Sequence, residues 1–237
     1  MHPEVTVTKN RAAFLFVDYF EVVHLMTARI DVEQNTVDIT SEDILVDYAP
    51  SYSIAYIQDS YLAIGYGLNE GNTTFGVQII LGKETLLPSG NVSISLTPTS
   101  TISLKSQPII MKIGSWNNHL ENNMNSILAL ITENEDDLLI YHLHCMPDFK
   151  SIRVGTQMYN RNSRVSSNNM KGIHHFSILM LIHNKFMVYY SSIINNGFTA
   201  LQIGYLTPSM ELIADGPQFT VSRDIRDTVW NNNLYCD

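Results

Sequence analysis

Apolar and polar residues alternate with a period of two along most of this chain, the pattern of strands with one face in a core and one toward water. It predicts strands at Val5 to Thr8, Phe14 to Phe20, Tyr52 to Ile57, Leu62 to Tyr66 and Val77 to Leu81 in the first half. In the second half the pattern resumes at Ile109 to Gly114, Ser126 to Ile131, Leu138 to Cys145, Ile152 to Gly155, Phe176 to Ile182, Phe186 to Tyr190, Leu201 to Tyr205 and Met210 to Ile213. These runs are rich in β-branched and aromatic residues and are bounded by Asn, Gly, Asp, Ser or Pro. Helical periodicity is not sustained anywhere; Ser41 to Tyr48 and Arg223 to Val229 read as single turns or short helices. Many short strands at even spacing define an all-β sandwich or barrel.

The pattern also repeats. Slid along itself by 124 positions, the chain lays Tyr52 to Ile57 over Phe176 to Leu181, Leu62 to Tyr66 over Phe186 to Tyr190, and Val77-Gln78-Ile79 over Leu201-Gln202-Ile203. The same offset places Phe14-Leu15-Phe16 over Leu138-Leu139-Ile140. Any two all-β segments share composition, but a constant offset without gaps points to duplication. The first copy has no counterpart of Ile102 to Asn118, so its opening strands come from elsewhere or the chain is a truncated product. Pro88 to Thr101 is rich in Ser, Thr and Pro with no apolar run longer than one residue, which reads as a junction. The expected organisation is a truncated domain over 1–88, a linker over 89–101, a complete domain over 102–213, and a tail over 214–237 whose apolar residues pack on the domains and hide an exposed edge.

The second copy resembles a galectin carbohydrate-recognition domain. Ile102-Ser103-Leu104-Lys105 and Ile109 to Gly114 are similar to the family's opening strands. Leu143-His144-Cys145-Met146-Pro147-Asp148-Phe149 is similar to its Leu-His-Phe-Asn-Pro-Arg-Phe strand, matching at Leu143, His144, Pro147 and Phe149. Phe176 to Leu179, Lys185 to Tyr189 and Leu201 to Ile213 resemble the later hairpin and closing strands. The resemblance implies two galectin-like, concanavalin A-like jelly-roll β-sandwiches, the first lacking its opening strands. It implies a non-enzymatic lectin with partners among glycans or glycoproteins, or a protein partner or second copy if the fold serves as a scaffold. The implied carbohydrate-binding residues are His144, Asp148, Tyr159 and Arg161. The site departs from the family's pattern: Met146 and Asp148 replace Asn and Arg, Gly155 stands where Asn is expected, and the 157–167 loop has neither Trp nor Glu. Tyr159 is then the stacking aromatic, and Arg161 or Arg164 the charge. A binding groove requires the face carrying His144 to be open, whereas a scaffold has Met146 and Met158 closing it. The first copy carries Phe20 at the place of His144 and keeps no sugar motif.

Charge and composition narrow the remaining classes. With net charge −9 and 16% charged residues, the chain has no basic face for a phosphate backbone, so nucleic acid is not an expected partner. The apolar stretch Ala12 to Val17 is too short for a span and has no cleavage pattern after it, so neither membrane insertion nor a signal peptide is expected. The expected location is cytoplasmic, or secreted without a signal peptide. Cys145 and Cys236 lie far apart and make no disulfide framework. His142 and His144 share a strand face and, with His174, His175 or His183, raise the question of a metal; the flanking Gly and Glu spacing of such sites is missing, and no cofactor is expected. Cys145 cannot use His144 as a base, because neighbouring strand residues face opposite sides. The acidic group Glu133, Glu135, Asp136 and Asp137 reads as a solvated hairpin tip.

Overall fold

The structure is a computed structural model that describes residues 3–69, 75–88, 92–116, 124–133, 138–158, 173–192, 198–215 and 219–222. It is all-β, a layered antiparallel β-sandwich. The first sheet holds β1 (Glu4–Thr8), β2 (Arg11–Val17), β3 (Val23–Asp31) and β4 (Thr36–Val46). The second holds β5 (Tyr52–Gln58), β6 (Tyr61–Asn69), β7 (Phe75–Leu86) and β8 (Val92–Leu104). The third holds β9 (Pro108–Ser115), β10 (Asn125–Thr132), β11 (Leu138–Cys145) and β12 (Ile152–Gln157). The fourth holds β13 (Ile173–Met180), β14 (Lys185–Ser192), β15 (Phe198–Leu206) and β16 (Leu212–Ala214), with β17 (Phe219–Ser222) pairing β15. Strand order within each sheet follows the chain, so neighbouring strands are joined as successive hairpins.

Strand alternation sorts the apolar side chains into three cores that stack the sheets in order. Ala13, Leu15, Val23 and Leu25 of the first sheet meet Tyr52, Ile54, Tyr56, Leu62 and Ile64 of the second. The opposite face of the second sheet, with Ile57, Ala63, Val77 and Ile79, meets Met111, Ile113, Leu128, Leu130 and Leu143 of the third. The other face of the third sheet, with Ile127, Ala129, Ile131 and Ile140, meets Phe176, Phe186, Val188 and Leu212 of the fourth. The two middle sheets are thus covered on both sides. That is why Tyr52 to Ile57 and Asn125 to Thr132 are buried at every position and read as continuous apolar runs.

Polar contacts join the layers at their rims. Arg11 Nη1 donates to Glu84 Oε2 at 2.7 Å, tying the first sheet to the second, and within the second sheet Tyr56 Oη donates to Glu84 Oε1 at 2.8 Å. At the edge of β5, the Tyr56 amide donates to Thr6 Oγ1 at 3.1 Å; at the edge of β9, the Ile113 amide donates to Ser53 Oγ at 2.9 Å. Hydroxyls of the adjacent layer thereby engage edge amides that would otherwise invite another strand. Lys112 and Glu4 form an ion pair along the same rim.

Four sequence expectations change. The segment expected as a linker is largely β8, whose Val92, Ile94 and Leu96 alternate with Ser93, Ser95 and Thr97; Ile94 and Leu96 pack on the first core. Ile102-Ser103-Leu104, expected to open the second domain, pairs with Phe75 to Val77 in the second sheet. Ser41 to Tyr48, expected as a helical turn, mostly continues β4, an exposed edge strand whose Asp38, Glu42 and Asp43 interrupt the apolar signal. The strand expected through Phe20 ends at Val17. Asp18 Oδ1 accepts the amides of Phe20 and Val22 at 2.8 and 2.9 Å and turns the chain, leaving Tyr19 and Phe20 outside. No described residue forms a helix at these positions.

The 124-residue offset has a structural counterpart. Ile54 and Ile64 face the first sheet as Ile178 and Val188 face the third, in step with the 124-residue offset. Gln78 Nε2 donates to the Ile79 carbonyl at 3.1 Å and Gln202 Nε2 to the Ile203 carbonyl at 2.9 Å. In β2 and β11 the gapless offset is one residue out of step. Leu15 faces its sandwich partner, while Leu139 faces away from the fourth sheet and Ile140 takes the inward place.

Candidate functional site

The strand that resembles the galactose-binding strand is β11, and its alternation decides what its side chains can do. Leu143 and Cys145 point to the second sheet, whereas Ile140, on the opposite face, packs on the fourth. His142 and His144 share the face of Ile140. Across the ladder, Asn125 of β10 stands opposite His144 and Ile127 opposite His142. Asn125 Oδ1 lies 2.8 Å from His142 Nε2 and 2.8 Å from His144 Nδ1. An amide oxygen is acceptor only and has two lone pairs, so each imidazole donates one N–H to it. This sets both tautomers.

His142 is 2% exposed. Burial, followed by the neighbouring His144, lowers its pKa to about 4. His144 is half-buried, and burial followed by the Arg153 guanidinium holds its pKa below the ordinary imidazole value. Both rings are therefore neutral donors at pH 7. Arg153 of β12 stands directly opposite His144 and is exposed. Gly155, where the galectin pattern has Asn, is fixed by packing: a Cβ there would stand 2.9 Å from His142 Nδ1.

Of the other expected site residues only Asp148 is among those described, and it lies apart from this cluster. Asp148 is exposed in the turn after β11, where Oδ1 accepts the Lys150 amide at 3.1 Å. Phe149 in the same turn, at φ 51°, stacks on Tyr61 of β6 at 4.3 Å, holding the turn against the second sheet. Tyr159 and Arg161 lie outside the described residues. Met158 packs on the core between the third and fourth sheets, and its amide donates to the Ile140 carbonyl at 2.7 Å. Met146 is half-buried in the turn, its amide donating to the Ser151 carbonyl at 2.9 Å.

Among the described residues no group of three His, Cys, Asp or Glu is placed to hold a metal ion. His183 is exposed in the turn before β14, and the side chains of His174 and His175 lie outside the described ones. Cys145 is buried on the face opposite His144, and burial, followed by Asp148, pushes its thiol up to about 11. No described helix is long and apolar enough to cross a membrane.

Asn125 and Arg153 are the site members that sequence reasoning missed. Asn125 gave no signal because its partners lie 17 and 19 residues away, across a hairpin. A separate cavity of about 490 Å³ opens at the rim between β1, β5 and β9, lined by Glu4, Thr6, Thr8, Tyr56, Ile113 and Ser115. The Ser115 hydroxyl there is buried without a hydrogen-bond partner among the described residues.

No family model matches the sequence, and no curated protein sequence matches it. Among solved structures, the tail fiber of Staphylococcus aureus phage P68 is similar over 88% of this chain and 53% of that one, at 9% identity and a TM-score of 0.28. This chain thus spans about half the length of that protein, and a likeness at this score bears on neither fold nor function. The class that the fold defines is a layered antiparallel β-sandwich protein.

Proposed function

We propose that the protein is a non-enzymatic interaction scaffold, in which the galectin-like strand keeps its histidines for the fold. The observation that carries this reading is the shared acceptor: both imidazoles spend an N–H on Asn125 Oδ1, at 2.8 Å each. Ile140 on the same face and Met158 beside it pack on the fourth sheet, which supports a closed face rather than a groove. A galactose site needs several polar side chains free to meet the sugar hydroxyls, and each unmatched group costs about 1–3 kcal/mol. Function follows such a site and not the fold around it.

A second reading, a lectin with an altered β-galactoside site, has one specific support. Among the described residues His144 Nε2 meets no hydrogen-bond partner, and it lies on a half-buried ring opposite the exposed Arg153. A sugar hydroxyl donating to Nε2 and accepting from Arg153 would use that pair. A glycan-array screen of the intact protein beside His144→Ala, with and without lactose, separates the readings. The scaffold reading expects no binding that lactose competes. Lactose-sensitive binding that disappears in His144→Ala overturns it in favour of the lectin.

A further inference from the structure

The stack of sheets ends, at the first sheet, on a mainly apolar face. Strand pairing aligns Val5 with Phe14, Met26 and Glu42, Val7 with Ala12, Ala28 and Ile39, Phe16 with His24 and Ile44, and Ile30 with Val37; the polar members are Glu42 and His24, whose ring nitrogens lie 3.4 Å from Glu42 and 3.1 Å from Asp18. Paired residues point to one side, and this side is opposite the one where Ala13, Leu15, Val23 and Leu25 meet the second sheet. Val5, Val7, Val37, Ile39 and Ile44 are 53%, 58%, 61%, 65% and 63% exposed. Four strands of 5, 7, 9 and 11 residues, at about 4.8 Å spacing and about 3.3 Å per residue, give a footprint of roughly 500 Å². Apolar residues hold most of that footprint around the His24–Glu42 pair, and exposed apolar patches of a few hundred Å² are often functional.

The duplication indicates what covers it, because the chain already makes the equivalent contact once, between the second and third sheets. With the one-residue slip of β2 against β11, Phe14 and Phe16 take the places of Leu139 and Tyr141, which are partly buried against the second sheet. The complementary surface also recurs. Val77, Ile79 and Leu81 face the third sheet, and the 124-residue offset gives them Leu201, Ile203 and Tyr205 as counterparts on the outward side of the fourth sheet. Each of these three is half-buried, as are Phe14 and Phe16.

We propose that the outer face of the first sheet docks the outer face of the fourth sheet of a second copy of this chain, repeating the internal contact between the second and third sheets. The partner named here rests on the scaffold reading above. The two footprints together cover about 1,000 Å², the lower limit for a specific interface and the range of reversible ones. Because the two surfaces differ, the contact is head-to-tail and can continue into open stacks.

Sedimentation of the intact protein across a concentration series tests this. The expected result is a weight-average mass rising above the 26.8 kDa chain with concentration. The double variant Ile39→Glu/Ile44→Glu, at exposed positions that leave the cores intact, weakens association by about tenfold or more, and Leu201→Lys or Tyr205→Glu does the same from the other end. Mixing a first-sheet variant with a fourth-sheet variant restores one intact contact and gives capped dimers. A wild type that stays monomeric to about 1 mM, the limit of weak association, overturns the proposal. So does association lost with the first-sheet variant but kept by both fourth-sheet variants, which would mean a symmetric pairing. A glycan array run on the same samples keeps the two claims apart: lactose-sensitive binding overturns the scaffold reading whatever the mass, and a monomer that binds no glycan overturns only the stacking.

Discussion

The imidazole of His142 occupies the space over Gly155 on the neighbouring strand: a Cβ at Gly155 would lie 2.9 Å from Nδ1 and 3.2 Å from the His142 Cβ. The close approach brings the ring down beside the β12 backbone, while its Nε2 reaches Asn125. The residue that departs from the galectin pattern is thus required by the histidine next to it.

Restoring a side chain at that point is expected to destabilise the fold. Gly155→Asn should cost about 1–3 kcal/mol through overpacking, read as a lower urea midpoint at unchanged slope. Equal stability would show that the ring has room to move.

Stability should also depend on pH through His142. Its folded pKa, about 4, lies below the unfolded value of about 6.5. Between these values the unfolded chain binds more protons. The contribution of the neutral ring is therefore fully present above about pH 6.5 and is lost progressively as pH falls toward about 4. Denaturant melts from pH 4 to 8 should show this decline, and His142→Gln should flatten the His142 part of it.

The ionic link between the first two sheets predicts a larger effect. Glu84 is 5% exposed and binds both Arg11 and Tyr56. Arg11→Met leaves a buried carboxylate without its cation and should cost about 3 kcal/mol, whereas Tyr56→Phe, losing one hydrogen bond to a charged group, should cost about 1.5–3 kcal/mol. Thermal or urea melts of the two variants measure both.

Cys145 should be chemically inert in the folded protein. With its thiol pushed up to about 11 by burial and by Asp148, little thiolate exists at pH 8. Iodoacetamide should label it only after denaturation. Rapid labelling of the native protein at Cys145 would place it in an opening segment.

Most strands of the two middle sheets were legible in the sequence, because burial on both faces writes uninterrupted apolar runs such as Ile127 to Ile131. The edge strands β4 and β8 were not: β4 carries acids at Asp38, Glu42 and Asp43, and β8 carries its apolar residues singly between Ser and Thr. In β8 single apolar residues are the period-two signal itself, taken for the absence of a run. The face borne by His144 was legible from alternation, but not what that face meets, since this depends on the fourth sheet being layered on the third. Asn125, two strands' length away in sequence, could be assigned only once the register was known.

The most direct measurement of the central claim is the ¹⁵N spectrum of the His142 and His144 imidazoles, recorded from pH 4 to 8 with and without lactose. The rings are expected to be neutral at pH 7, protonated at Nε2 in His142 and at Nδ1 in His144. His142 should titrate only near about 4, and lactose should leave both rings unchanged. Titration of His142 near the ordinary value of about 6.5, or displacement of the His144 signals by lactose, would contradict it.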